Sequence, residues 1–441
     1  MMIPGIMAQR RVVSGGPISA YWIAMLGGAG NDSSTTPTPV IDASGNIYGA
    51  GLTASIGAGG NDIVLFKLSP AGSVIWQRTL GGAGSDTAYS VALDSSGAVY
   101  VAGSTDSQGA GLSELLLAKY SNSGVLQWQR SLGGAGNEFG AAIAISSGDA
   151  IYVAGTTNPG VGSGDMLLAR YSTSGTIQWQ VRLGGASSEA GNGVTVDSSG
   201  NVYICGFSGS TGSGSLDAII AKYNSAGALQ WQRSLSAAGT DIANGVVADS
   251  FGGVCVVGNT DSQGAGANDL LISKYNSSGA LQWQRSLGGA GNEYGFRITT
   301  DSAGDFYVAG RSDAIGAGLS ELLLAKYSNS GVLQWQRSLG GAGNEFGTGI
   351  ALGPSGEMCV LGRTESAGAG GQDIIVARLP SDGSMTGTYG SFTYAATSLA
   401  DAARTLTDSA VSLTAANAGL TDAARTLTDA AGTLTSTLIS L

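Results

Sequence analysis

The amino-acid sequence predicts an all-β fold, a closed seven-bladed β-propeller, followed by a C-terminal α-helical coiled-coil stalk. Two periodicities carry this prediction. Trp recurs seven times at intervals of 51 to 54 residues, at positions 22, 76, 128, 179, 231, 283 and 335. Leu recurs at every seventh residue from Leu399 to Leu441. Gly is abundant, with 74 residues, but 43% of the chain is hydrophobic, which indicates a folded protein rich in turns and not a disordered one.

Each Trp period contains four short segments with the composition of β-strands. In one unit we expect strands near 88–94, 98–104, 114–120 and 125–132, because these runs are rich in β-branched and aromatic residues and end at Gly, Ser and Asp turns. The tetrapeptide 94–97, Asp-Ser-Ser-Gly, is typical of a tight turn. A period of about 52 residues with four antiparallel strands is one propeller blade.

The two ends of the repeat array predict closure of the ring. A Trp-containing strand near 19–26 precedes any complete blade, whereas the last blade ends near 384–394 without a Trp. The N-terminal strand is therefore expected to complete the final blade, since closure removes exposed sheet edges. The predicted organisation is an N-terminal arm at 1–18, a propeller at 19–394 and a stalk at 395–441.

The repeat resembles a known family. The segments Asp-Ser-Ser-Gly-Asn-Val-Tyr (197–203), Asp-Ala-Ile-Ile-Ala-Lys-Tyr (217–223) and Trp-Gln-Arg-Ser-Leu (231–235) are similar to the SBBP family, the seven-bladed β-propeller repeat. The resemblance covers about 19–394 and implies the fold strongly, but it implies little about function because propellers host many activities. The first residues and the Leu-Thr-Asp-Ala-Ala repeats are also similar, more weakly, to phage structural proteins.

The C-terminal segment predicts a helix with one apolar stripe. A seven-residue repeat keeps its Leu side chains on one side of a helix and is typical of coiled coils. The expected stripe, which needs a partner helix, points to self-association as a dimer or trimer; docking on another protein and a disordered tail are the alternatives. Its members are Leu399, Leu406, Leu413, Leu420, Leu427, Leu434 and Leu441.

Composition restricts the function classes. The net charge of −11 disfavours nucleic-acid binding, which needs clustered Lys and Arg. No apolar run has the length of a membrane span, and the N-terminal segment does not have the pattern of an export signal. The chain has no His, the commonest general base and metal ligand, and no catalytic motif. The sequence therefore predicts a protein that is not an enzyme, without catalytic residues or a cofactor.

One acidic residue follows the Gly-rich corner of every blade. In the expected strand order these corners join an outer strand to the next inner strand, so seven carboxylates would ring one face near the channel. Such a ring can hold Ca²⁺, Mg²⁺ or a basic partner segment. The alternative is that each acid caps the amides of its own loop. The seven are Asp32, Asp86, Glu138, Glu189, Asp241, Glu293 and Glu345.

The same face carries the loops that differ most between repeats, and recognition commonly resides in variable loops on a rigid scaffold. Simple low-complexity connection is the alternative. The loops are 53–60, 105–111, 156–164, 208–215, 260–267, 312–318 and 364–371.

These observations favour a virion structural protein, such as a phage fibre or decoration protein. In this interpretation the stalk oligomerises or anchors, and the propeller is a head that contacts other virion proteins or a host receptor. The alternative is a propeller on the bacterial surface, or secreted, that binds glycan or protein. The expected location is accordingly the virion, or else the cell surface or the extracellular medium.

Overall fold

A computed structural model describes residues 21–35, 38–109, 112–158, 164–264, 266–316, 319–411, 413–417, 421–425, 428–431 and 435–440 of the protein. The expected N-terminal arm at 1–18 lies outside these residues. So do Leu420, Leu427, Leu434 and Leu441 of the expected stripe.

The described residues form seven sheets arranged as propeller blades, each with antiparallel neighbouring strands. Blade 1 contains β2 (Asp32–Ser33), β3 (Val40–Ile41), β4 (Ile47–Thr53), β5 (Asp62–Leu68) and β6 (Val74–Gly81). Blade 2 contains β7 (Asp86–Leu93), β8 (Val99–Thr105), β9 (Glu114–Tyr120) and β10 (Leu126–Gly133). Blade 3 contains β11 (Asn137–Ile145), β12 (Ile151–Asn158), β13 (Asp165–Tyr171) and β14 (Ile177–Gly184).

The remaining blades repeat this order. Blade 4 contains β15 (Glu189–Val196), β16 (Val202–Ser208), β17 (Asp217–Tyr223) and β18 (Leu229–Ser236). Blade 5 contains β19 (Asp241–Ala248), β20 (Val254–Thr260), β21 (Asp269–Tyr275) and β22 (Leu281–Gly288). Blade 6 contains β23 (Glu293–Thr300), β24 (Phe306–Ser312), β25 (Glu321–Tyr327) and β26 (Leu333–Gly340). Blade 7 contains β27 (Glu345–Leu352), β28 (Glu357–Thr364), β29 (Asp373–Pro380) and the N-terminal β1 (Trp22–Gly27).

Closure of the ring follows the prediction. Strand β1 pairs antiparallel with β29, with Trp22 opposite Arg378 and Leu26 opposite Ile374. The first strand of the chain therefore supplies the fourth strand of the last blade, and no blade edge is left open between the two ends of the repeat array.

The two faces of the ring carry different connections. Strands alternate in direction within a blade, so the Gly-rich corners between blades and the loops between second and third strands lie on one face, named here the upper face. The lower face carries tight turns. In one of them Asp94 accepts hydrogen bonds from the N–H groups of Ser96 (3.0 Å) and Ala98 (2.9 Å) and from the hydroxyl of Tyr100 (3.0 Å), while Gly97 has a φ of +78°. This is the turn that the Asp-Ser-Ser-Gly pattern predicts.

Each Trp joins its blade to the next blade on the lower face. Six of the seven indole N–H groups donate to a turn carbonyl of the following blade at 2.9 to 3.2 Å, as Trp76 does to Asn122. A glycine of the same turn lies against the indole ring; a Cβ on Gly124 would lie 2.9 Å from the ring of Trp76. The Trp period is therefore the period of contact between blades.

The prediction of a C-terminal coiled-coil stalk is wrong. From residue 387 onward the described residues contain no helix, and the heptads form short strands that pair with the outer strand of one blade after another. We name this segment the belt. Its strands are β30 (Gly387–Tyr389), β31 (Phe392–Ala396), β32 (Ala400–Ala403), β33 (Thr407–Ala410), β34 (Thr414–Asn417), β35 (Thr421–Ala424), β36 (Thr428–Ala431) and β37 (Thr435–Ser440).

The belt passes round the ring in the direction opposite to the blades. Strands β31 to β37 pair antiparallel with β26, β22, β18, β14, β10, β6 and β1, in that order. One heptad thus serves one blade, as a four-residue strand followed by a connector to the next blade. A repeat of seven arises here from the spacing of outer strands and not from a helical period.

The three described Leu residues of the heptad lie in connectors and enter the seams between blades. Leu399, Leu406 and Leu413 are buried among apolar side chains of two adjacent blades. The Leu406 carbonyl also accepts a hydrogen bond from the Gln284 side chain at 2.9 Å. These three Leu side chains contact their own chain, so they do not form a stripe for a partner helix.

The Trp–Gly contact predicts a specific loss of stability. Gly124→Ala combines a positive φ, which costs about 1–2 kcal/mol for a residue with a Cβ, with overpacking against Trp76 of about 1–3 kcal/mol. Gly252→Ala is the matched control, because Gly252 has a φ of +82° and nothing within 4 Å of the added Cβ. We expect urea unfolding, followed by Trp fluorescence, to show the larger loss for Gly124→Ala. Equal losses would show that the indole contact contributes nothing.

The belt predicts that a heptad Leu stabilises the ring. Leu406→Ala leaves a cavity between two blades and should lower the free energy of unfolding by about 2–4 kcal/mol. Ile75→Ala, at a side chain that is 50% exposed, should stay within about 0.5 kcal/mol of the wild type. Thermal and urea denaturation of the full chain measure both. A Leu406→Ala protein as stable as the Ile75→Ala protein contradicts the belt.

Candidate functional site: the upper face and the central channel

The seven acids of the expected ring lie at the blade-to-blade joints of the upper face. Each is buried, at 0–1% exposure, and each carboxylate accepts a hydrogen bond at 2.6 to 2.9 Å from the amide four residues earlier in its own corner. Glu138 thus bonds the N–H of Gly134. This is the geometry of the capping alternative.

The backbone of the same seven residues ties neighbouring blades together. Each N–H donates to a carbonyl at the start of the preceding blade's third strand, at 2.6 to 2.9 Å. The bond from Asp32 to Gln372 joins blade 1 to blade 7 and so closes the circle. The acids therefore hold the scaffold on which the upper loops stand. Among the described residues, no three His, Cys, Asp or Glu side chains converge on a common metal position, and ion binding by this ring stays a prediction.

A second sevenfold set of carboxylates begins the third strand of every blade. All are buried or nearly so. Adjacent glycines leave the space; a Cβ on Gly81 would overlap the carboxylate of Asp62. The set consists of Asp62, Glu114, Asp165, Asp217, Asp269, Glu321 and Asp373.

The belt supplies a cation to two members of this set. Arg425 Nη2 lies 2.6 Å from Glu114, and Arg404 Nη2 lies 3.6 Å from Asp269. In blade 4 the heptad position of Arg404 is occupied by Val411. The carboxylate of Asp217 has no side-chain partner there, and burial raises the pKa of Asp217 to about 6.

Burial likewise raises the pKa of Asp62 and of Asp373 to about 6. Three buried carboxyls thus ionise two units above their ordinary range. The folded state binds a proton more tightly than the unfolded state at these sites, so they oppose folding increasingly as the pH rises from about 4 to about 6. Above that range the destabilisation is constant.

The central channel lies inside the innermost strands and encloses about 470 Å³. Residues of β3, β7, β11, β15, β19, β23 and β27 line it, and nearly all are small or aliphatic. Arg297 of β23 is the one charged residue in this lining. The corresponding positions of other blades are small, namely Ser90, Ala142, Gly193, Gly245 and Gly349.

Two further arginines stack on aromatic rings on this side of the ring. The guanidinium of Arg311 lies 4.5 Å from the ring of Tyr294 and 4.9 Å from the ring of Phe346. The guanidinium of Arg363 lies 4.1 Å from the ring of Phe346. These residues are near the upper ends of the first and second strands in blades 6 and 7. Arg311 and Arg363 occupy the same repeat position, which is basic in these two blades and uncharged in the other five, so sequence reasoning missed them although a comparison of the repeats could have found them.

The upper loops expose apolar side chains. Leu112 and Leu319, at matching positions of blades 2 and 6, are 75% and 76% exposed. The lower face presents Val125 and Val332, again at matching positions, at 55% and 56%. Residues 109–140 and 316–347 have identical sequences, so each pair has the same local sequence in both blades. The Leu pair lies on the upper face and the Val pair on the lower face.

Together the blades, the corners and the turns define the class of this protein as a seven-bladed propeller built from a single repeat. The family model described as "Beta-propeller repeat" (SBBP) matches residues 75–109 and 178–212. The chain carries SBBP β-propeller repeats, as its sequence predicts.

Two curated proteins are similar over part of their length. The regulatory protein FlaEY of Caulobacter vibrioides is 30% identical over 33% of this chain and 18% of that protein. An uncharacterised WD repeat-containing protein of Acanthamoeba polyphaga mimivirus is 24% identical over 39% of this chain and 17% of that protein. The chain thus spans less than a fifth of the length of either.

Solved structures share the fold at low sequence identity. The polysaccharide lyase Uly1 has a TM-score of 0.50 and 8% identity, over 85% of this chain and 95% of that one. The NanB sialidase of Streptococcus pneumoniae has a TM-score of 0.41 and 10% identity, over 80% and 68%. A gluconolactonase of Xanthomonas campestris has a TM-score of 0.38 and 12% identity, over 82% and 88%.

The prediction that the protein is not an enzyme is contradicted by the fold that the chain shares with an enzyme, the polysaccharide lyase Uly1. It rested on the lack of His and of catalytic motifs, but residue types alone do not exclude a reaction on a fold that carries many. At 8–12% identity the likeness shows the fold and assigns no reaction.

The described residues contain no α-helix with the length and hydropathy of a membrane span.

The unpaired carboxyl of blade 4 predicts opposite effects for two matched substitutions. Asp217→Asn removes a carboxyl whose pKa is raised and should stabilise the protein above about pH 6, with little effect near pH 4. Asp269→Asn breaks the pair with Arg404 and should destabilise it at neutral pH. Urea midpoints at both pH values test this. A destabilised Asp217→Asn protein at high pH would show that the charged form is the one that blade 4 favours.

Proposed function

We propose that this propeller is a recognition scaffold whose upper face binds a surface polysaccharide or protein. The observation that carries the proposal is the contrast between the two connection types of that face. The corners repeat the same acid-capped geometry in all seven blades, whereas the loops between second and third strands differ in sequence, with eight residues in six blades and fewer in blade 3. A rigid frame with variable loops is a common arrangement for binding.

The exposed Leu112 and Leu319 support this assignment. Each stands on an upper loop whose base is fixed to the next blade by a backbone bond, as Ser113 is to Glu138 at 2.9 Å. An apolar side chain held at a fixed position contributes contact area at small entropic cost. The two loops are in blades 2 and 6, so one large partner can contact both sides of the ring.

For the setting of this activity we propose a virion appendage, a fibre or decoration protein that contacts a host surface or other virion proteins. The alternative is a propeller of the bacterial surface or the extracellular medium. The belt removes one support for the virion proposal, since the segment expected to be an anchoring stalk is part of the ring. Mass spectrometry of purified phage particles and of bacterial envelope fractions distinguishes the two settings, because each predicts enrichment in one fraction.

The proposed upper-face binding predicts a difference between two double variants. Leu112→Ser with Leu319→Ser should weaken binding to purified envelope polysaccharides and outer-surface proteins, arrayed as probes, by about tenfold or more. Val125→Ser with Val332→Ser, on the lower face, should bind as the wild type does. Both double variants should unfold at the wild-type urea concentration, because all four side chains are exposed. Equal binding by the two variants, or loss by the lower-face variant alone, contradicts the proposal.

A further inference from the structure

The strongest unassigned feature is the charge of Arg297 in the wall of the central channel. The side chain is 7% exposed, and its Nη1 donates to the carbonyls of Asn244 at 2.8 Å and Phe296 at 2.9 Å. It extends from blade 6 towards blade 5, whose backbone lies close by; a Cβ on Gly245 would lie 2.9 Å from the Phe296 carbonyl oxygen and 3.1 Å from the Cα of Arg297. The guanidinium thus binds backbone carbonyls of both blades.

No carboxylate among the described residues lies within 4.0 Å of the Arg297 guanidinium. Burial lowers the pKa of Arg297 to about 10, so the group remains charged at neutral pH. The nearby Cys205 does not neutralise it, since burial raises the pKa of that thiol to about 12. A buried charge without a counter-charge is costly, and proteins rarely retain one without a partner.

The free edge of this guanidinium has the donors that a carboxylate needs. Both hydrogen bonds to carbonyls use Nη1, and within the described part of the chain no bond uses Nε or Nη2. Two parallel N–H groups are the arrangement that binds a carboxylate in bidentate geometry. Arg297 is also among the residues that line the channel.

The rest of the channel has the properties of a site for a small organic molecule. Its volume of about 470 Å³ lies within the usual range of ligand pockets. Apart from Arg297 its lining consists of uncharged residues such as Val40, Ala144, Thr195 and Val247. One cation among uncharged, mostly small or aliphatic side chains matches a small ligand with one negative group and an uncharged organic body.

We propose that the central channel binds a small organic monocarboxylate, whose carboxylate pairs with Arg297 and whose apolar part occupies the space between the innermost strands. This site is separate from the upper loops, and it does not depend on what those loops bind. Inorganic phosphate, which lacks an apolar body, is expected to bind more weakly than the monocarboxylate.

The test is ligand-observed NMR titration of the full-length protein with hexanoate, 1-hexanol and inorganic phosphate. Hexanoate should bind the wild type at least about tenfold more tightly than either of the other two. The Arg297→Gln substitution should weaken the binding of hexanoate by about tenfold or more. Arg170→Gln, which removes the same charge from a side chain at the lower face, should leave the affinity unchanged.

A second variant tests the same proposal if the Arg297→Gln protein does not fold. Thr299 lines the channel two residues along β23, and residues two apart share a strand face. Thr299→Glu should therefore supply an internal counter-charge and abolish hexanoate binding without removing the arginine. Absence of hexanoate binding at about 10 mM, 1-hexanol or phosphate that binds as tightly as hexanoate, or equal affinity in the Arg297→Gln, Thr299→Glu and Arg170→Gln proteins would each overturn the proposal.

Discussion

The ring depends on one joint that is made seven times on the upper face. At each joint an Asp or Glu donates its backbone N–H to the preceding blade and folds its carboxylate back onto the amide of its own corner. A buried carboxylate is costly unless it is hydrogen-bonded, and here the Gly-rich corner supplies the donor. Acid and corner consequently occur together in every blade. A protein that keeps the corner but loses the acid would leave an amide without a partner at a blade boundary.

The lower face uses a different joint with the same period. There the indole rings of six Trp residues cover a glycine of the next blade's turn, and six of the seven indole N–H groups donate to that turn. The two joints resist different motions, because one lies near the innermost strands and the other near the outer strands. Basic residues add to the lower face. Lys67, Lys119 and Lys274 pair with Asp residues of the turns in their own blades at 2.7 to 3.9 Å.

The belt gives every blade a fifth strand and joins all seven through one continuous segment. Outer strands of a propeller are sheet edges, and edges invite pairing with other chains. Here the same polypeptide occupies those edges, and its arginines reach buried acids in blades 2 and 5. Among the acids without a belt arginine, those of blades 1, 4 and 7 have a pKa near 6, whereas Asp165 of blade 3 pairs with Arg182 of its own blade at 3.4 Å. The belt arginines thus provide a counter-charge to two acids of this set.

The sequence by itself determined the number of blades, the four strands of each and the closing strand, because strand alternation and turn residues are local properties that repeat with the Trp. It also located the corner acids and the variable loops. It did not determine the role of the C-terminal heptads, since a period of seven fits both a helix and the spacing of seven outer strands. Only the tertiary structure distinguished them, by pairing one heptad with each blade. Nor did the sequence single out Arg297. Its significance arises from its surroundings, which are a channel, small neighbouring residues and, in the part of the chain that the structure describes, no carboxylate. Such properties depend on distances between blades, which no local pattern records.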